Sequence, residues 1–133
     1  MGLAPYAPAA QAERAYEALS AVFGLDTTIP ARFVWKRRDP RYRLLLEATL
    51  GLRFDAIAAG AQRMVEESLL TWARLMRERH GGERLALGGG VFMNVKANQR
   101  IAELEQVACV LPVPGCGDES LALGAPAWWL VQR

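Results

Sequence analysis

Apolar positions recur at helical spacing in two stretches of this chain and at strand-like spacing between them. Over residues 11 to 23, Ala15, Leu19, Val22 and Phe23 fall on one face, and Gly24 is the expected stop. The longer stretch predicts a helix from Asp55 to about His80. Ile57, Ala61, Met64, Val65, Ser68, Leu69, Trp72, Ala73 and Met76 form its stripe, with Asp55 as the cap of the first turn and Gly81-Gly82 as the terminator. A strand, Arg84 to Leu87, then runs into Gly88-Gly89-Gly90. A helix from about Val95 to Glu105 follows, then a strand from Val107 to Leu111 broken by Pro112 and Pro114, and a last helix beginning near Glu119. Residues 25 to 45 mix Pro30, Pro40, β-branched residues and arginines, and support only a short strand over Ala31 to Trp35. The order helix, strand, helix, strand, helix is a βαβ crossover flanked by helices, so the sheet is expected to be at least partly parallel. Pro126 lies inside the last helix, where it removes a hydrogen bond to the Ala122 carbonyl, and a kink or restart is expected there.

At 133 residues and 52% apolar composition the chain suits one globular domain and not a disordered one. A net charge of +2 spread along the chain argues against a nucleic-acid partner. The richest basic run, Lys36-Arg37-Arg38-Asp39-Pro40-Arg41-Tyr42-Arg43, reads as a solvated loop. No segment reaches the ~18 apolar residues of a membrane span, and no basic and apolar leader opens the sequence, so the expected compartment is the cytoplasm. Cys109 and Cys116 have no metal-binding or redox spacing. Cys109 reads as a core residue of its strand and Cys116 as a small filler in the turn that follows.

The candidate chemistry sits where the glycines meet the helix. Glycines at a strand end let backbone approach a ligand without an intervening Cβ, and the following helix start favours phosphate. Asn94 and Asn98 are four residues apart, so on a helix they share a face, and each offers a donor and an acceptor. The competing reading is a tight strand-to-helix turn that needs glycine for packing alone. No Gly-Lys-Ser/Thr follows, which excludes a P-loop, and the spacing is not that of a dinucleotide fingerprint. Some twenty residues on, Asp118 lies between Gly117 and Glu119 at the start of an apolar helix, and on its own reads as a helix cap. His80, the single histidine, reads as a solvated residue at a helix end.

Three motifs, in order, resemble the O-carbamoyltransferases of nodulation factors and carbamoylated antibiotics. Residues 1 to 7 match the family's Met-Gly-Leu-Ala-Pro-Tyr-Gly up to Ala7. Residues 89 to 98 match Gly-Gly-Val-x-x-Asn-x-x-x-Asn, and residues 117 to 126 match Gly-Asp-Glu-Gly-x-Ala-x-Gly-Ala-Ala, with Ser120 and Pro126 as departures. The resemblance implies an α/β fold, half of an actin-like ATPase (sugar kinase-like) domain with a mixed sheet flanked by helices. Residues 1–133 would be its second subdomain, a piece of a longer protein. It implies carbamoyl transfer from carbamoyl phosphate, through an ATP-derived carbamoyl adenylate, to a hydroxyl of a sugar or natural product.

By the same resemblance, Gly88, Gly89, Gly90, Asn94 and Asn98 would hold the nucleotide or carbamoyl donor. Asp118 would be one ligand of a divalent ion, iron or magnesium, whose remaining ligands are two histidines of a His-x-x-x-His helix. This chain lacks that pair, so the expectation is an incomplete and inactive active site that needs an upstream subdomain. Two other readings stand beside it. One is threonylcarbamoyl transfer to tRNA, whose last motif tends to Thr-Asp-Asn. The other is a non-catalytic nucleotide-binding or assembly module, with dimerisation through the exposed face of a half-domain. Trp128 and Trp129 are expected to pack, partly exposed where that partner is missing.

Overall fold

A computed structural model describes residues 2–28, 32–35, 41–117 and 120–132. The chain divides into two compact units, Met1–Met76 and Arg77–Arg133.

In the first unit, a 3-10 turn at Ala4–Tyr6 leads into helix α1, Ala9–Val22, with Ala15, Leu19 and Val22 buried as the spacing predicts. The expected stop at Gly24 is corrected. The helix ends at Val22, and Gly24 lies inside strand β1, Phe23–Asp26, because Phe23 already adopts extended backbone and pairing takes over. Strand β2, Arg32–Trp35, runs antiparallel to β1 with Gly24 opposite Val34. Ala31, the expected first residue of that strand, lies outside the described residues. Helix α2, Arg41–Thr49, has no counterpart in the sequence reading, and it takes up the end of the basic run expected to be a loop. Residues 36–40 of that run lie outside the described residues.

Helix α3, Phe54–His80, matches the long periodic stretch, but its buried side chains correct the stripe. Ala56, Gly60, Gln62, Leu69, Leu70 and Ala73 are buried, whereas Ile57, Met64, Trp72 and Met76 are only half-buried. The displacement follows from Gly60. A Cβ there would lie 2.6 Å from the Tyr16 nitrogen and 2.8 Å from the Ala15 Cβ, so α1 and α3 cross with backbones in contact. The closest face of α3 is therefore the one carrying its smallest residue. Asp55 sits in the first turn. Its carboxylate accepts from the Ala56 amide at 2.9 Å and from Arg53 at 2.7 Å, and the Arg53 bond leads in holding its pKa below the usual carboxylate value.

In the second unit, α3 ends at Gly81 and Gly82, both at positive φ (69° and 88°), as the paired glycines predict. Strand β3, Arg84–Leu87, pairs in parallel with β4, Cys109–Pro112, across helix α4, Val95–Ala102. This is the expected βαβ crossover. Leu87, Phe92, Ala97, Ile101, Val107 and Cys116 form its core. The sheet pattern differs from a single mixed sheet: the described strands form one antiparallel and one parallel pair. Pro112 does not break β4 but ends its register opposite Leu87, and Val113 adds one more bond to the Leu87 carbonyl at 2.8 Å. Proline is tolerated at that position because the neighbouring Val113, not residue 112, donates to the Leu87 carbonyl of β3. A second expectation for β4 is corrected. Cys109, expected in the core, is exposed.

Helix α5, Ser120–Val131, continues through Pro126 without the expected restart. Every described side chain on it is exposed, including Trp128 at 68% and Trp129 at 53%.

Candidate functional site

β3 delivers the chain to the three glycines with Leu87 anchored in the core at 3% exposure. Gly89 adopts φ 106° and ψ 152°, a region open in practice to glycine alone, so one of the three is dictated by backbone conformation. The other two are not. A Cβ on Gly90 would meet no atom within 4 Å, and one on Gly88 would meet only the Val113 Cγ2 at 3.9 Å. Packing therefore does not require glycine at 88 or 90, which weakens the purely structural reading of the triplet and leaves its backbone open to approach.

A 3-10 turn, Gly90–Met93, leads from the glycines to α4, which begins at Val95 as expected and ends at Ala102, short of the expected Glu105. Phe92 buries its ring and pins this turn, while the Phe92 amide donates to the Gly89 carbonyl at 2.9 Å. Asn94 ends the turn and caps α4, its side-chain oxygen accepting from the Ala97 amide at 3.2 Å. Asn98 reaches back: its Nδ2 donates to the Phe92 carbonyl at 2.7 Å, tying the first turn of the helix to the turn before it. Its Oδ1 is shielded from solvent and has no hydrogen-bond partner among the described residues. Asn94 thus stands at the cap and not on the helix face expected of it, and both asparagines hold the local backbone in shape. That role was not legible from spacing alone.

Beside the turn runs an open groove of about 630 Å³. Phe92, Met93 and Val95 form one lip, Asn98, Gln99 and Ala102 line α4, and Val110 with residues 112–116 makes the other wall. The lining is mainly apolar, and the three glycines stand outside it. Cys116, buried, donates from Sγ to the Val113 carbonyl at 2.7 Å and so fastens the loop after β4.

Asp118 and Glu119 lie outside the described residues, so the metal position expected at Asp118 has no described geometry. Among the described residues no three His, Cys, Asp or Glu side chains gather to hold an ion, and His80 is exposed at the end of α3. No helix among them is long and apolar enough to cross a membrane.

The model of the carbamoyltransferase N-terminus matches residues 37–127, which include α3, the glycine turn and most of α5. The chain belongs to the carbamoyltransferase N-terminus family. An uncharacterized protein of Methanocaldococcus jannaschii is 32% identical over 71 residues, 53% of this chain and 12% of that protein. The chain thus spans about an eighth of the length of the curated relative it matches. No solved structure matches it.

Proposed function

We propose that this chain is the glycine-turn part of an O-carbamoyltransferase and forms half of an actin-like ATPase domain. The intact protein transfers a carbamoyl group from carbamoyl phosphate, by way of carbamoyl adenylate, to a hydroxyl of a sugar or natural product. Family membership supports the reaction class. The observation that carries the placement is that Gly88 and Gly90 have no steric reason to be glycine, yet flank the one residue whose φ demands it.

A nucleotide or carbamoyl donor fits this turn. Gly89 and Gly90 would present backbone to its phosphate, and the capped start of α4 would lie beneath it. Asn94 and Asn98 would act there by fixing the turn, with Asn98 Oδ1 able to accept from the donor only after a local shift. Bound ATP would supply the adenylyl group of carbamoyl adenylate, with pyrophosphate as the leaving group. Among the described residues no set of side chains fits a metal ion. Asp118 is the position assigned to such an ion by the family pattern, with its histidines in the missing upstream subdomain.

The test is AMP release by the full-length protein given ATP, carbamoyl phosphate and hydroxylated acceptors. Release that requires both carbamoyl phosphate and an acceptor is expected. ATP turnover indifferent to carbamoyl phosphate would refute the reaction class.

One observation favours the second reading, an assembly module. Every described side chain of α5 is exposed although the helix is apolar all round, which is the character of a helix that ends up covered. The two readings are compatible if the cover is the missing subdomain. A homodimer of the full-length protein that ignores ATP would favour assembly alone.

A further inference from the structure

Unit 1 carries a cavity of its own. Helices α1 and α3 touch at Gly60, and beyond that crossing they leave a space of about 220 Å³, closed on one side by Phe23 of β1. Facing it are Tyr16 and Ser20, four apart on α1, and Glu67, Ser68 and Thr71, at i, i+1 and i+4 on α3. Helix faces that meet in a seam are ordinarily apolar. Here one phenol, three hydroxyls and a carboxylate converge beside Phe23, Leu25 and Met64, all on side chains half-buried or more open.

The cluster is organised. Tyr16 donates its hydroxyl to Glu67 Oε2 at 2.5 Å, and Arg63 Nε donates to Glu67 Oε1 at 2.8 Å. The guanidinium carbon lies 4.1 Å from the centre of the Tyr16 ring, and Arg63 also pairs with Glu13. Arg63 is thus shared between Glu67 and Glu13, which leaves this trio with one negative charge in excess. The bond to Glu67, then burial, pushes the Tyr16 phenol up, so it keeps its proton through neutral pH. Thr71 donates to the Glu67 carbonyl at 2.9 Å, which turns its oxygen lone pairs to acceptor use.

We propose that this cavity binds a small neutral polyol, a single sugar ring or a molecule of like size and hydroxyl density. Tyr16 and Thr71, whose protons are given within the cluster, present acceptor oxygens, and the Ser68 hydroxyl is of a type that donates and accepts, a mixture that suits ligand hydroxyls. An anion would meet the Glu67 carboxylate, and a cation would compete with Arg63 for it. The space of about 220 Å³ has room for one ring. Binding here is independent of the glycine turn and of carbamoyl transfer.

Saturation-transfer NMR on the full-length protein with methyl β-glucoside at millimolar concentration tests it. Transfer to the ring protons is expected, with affinity weakened about tenfold in Thr71→Val and in Ser68→Ala, the loss of one good hydrogen bond. Both sites are open enough for the variants to fold, which their unchanged thermal midpoints would verify. Glucose 6-phosphate should bind more weakly than the glucoside. A cleft that holds water only would give no transfer, and that result overturns the proposal. So would transfer unchanged in both variants, or equal binding of the phosphorylated sugar.

Discussion

Replacing Gly60 by alanine probes the packing on which unit 1 depends. In the middle of a helix the change is ordinarily favourable by roughly 0.5–1 kcal/mol, because alanine loses less backbone entropy than glycine. At this position the new Cβ would lie 2.6 Å from the Tyr16 nitrogen, 2.7 Å from the Ala15 carbonyl carbon and 2.8 Å from the Ala15 Cβ. These are backbone and Cβ atoms, which cannot rotate away as a long side chain would. Restoring ordinary contact at 3.4 Å requires α1 to retreat by 3.4 − 2.6 = 0.8 Å. That retreat stretches the 2.5 Å Tyr16–Glu67 bond and lifts Tyr16 from the Arg63 guanidinium. Overpacking of this kind costs about 1–3 kcal/mol, so after the helix-propensity gain the net loss is about 1–2 kcal/mol. For a unit of this size that lowers the unfolding midpoint by roughly 5–10 °C. Thermal unfolding followed by circular dichroism measures it, with Gly124→Ala as the control, since a Cβ there would meet nothing within 4 Å. A Gly60→Ala midpoint equal to or above that of the native protein would refute the close crossing.

Asn98→Asp keeps the shape of the side chain but replaces the donor to the Phe92 carbonyl by an acceptor, at a cost of about 1–3 kcal/mol. Amide exchange at Phe92 and Asn94, whose bonds define the 3-10 turn, should speed up, and unchanged exchange would show that Asn98 does not hold it. Asp55 has a depressed pKa in the folded state, chiefly through Arg53. Its contribution to stability is present above the unfolded carboxylate value of 3.8 and is lost as pH falls through the lower folded value. Asp55→Asn should therefore flatten the acid limb of a stability–pH curve below about pH 4, and an unaltered limb would contradict the pairing. Cys109 should react readily with a thiol-directed alkylating reagent in the native state while Cys116 does not, as mass spectrometry of the modified protein would show.

What the pattern of residues made legible was local. The 27 residues of α3 and the passage from β3 through the glycines to α4 and β4 follow from periodicity and from glycine and proline punctuation. Helix α2 escaped because Leu44, Leu45 and Leu46 are adjacent, which marks no single face, and because Pro40 and three arginines crowd its start. Gly24 misled because a glycine after an apolar helix reads as a terminator, whereas here the chain turns directly into a paired strand. The offset of the buried face of α3 depends on Gly60 meeting Ala15, a contact across 45 positions that periodicity within one helix cannot register. The Tyr16–Glu67 bond joins residues 51 apart and was invisible for the same reason. At the candidate site, the glycines and asparagines were identifiable as a group. Which glycine is needed by the backbone, and that Asn98 holds the Phe92 carbonyl, required coordinates.

The central claim is that the open backbone of the glycine turn receives a phosphorylated ligand. Calorimetric titration of ATP into the full-length protein, native and Gly90→Ala, addresses it most directly. An alanine at 90 has room and needs no unusual φ, so the fold and its melting temperature should not change. If the ligand occupies the space above the turn, the added methyl displaces it and ATP affinity falls by more than about tenfold. Equal affinity in the two proteins at equal stability would contradict the account.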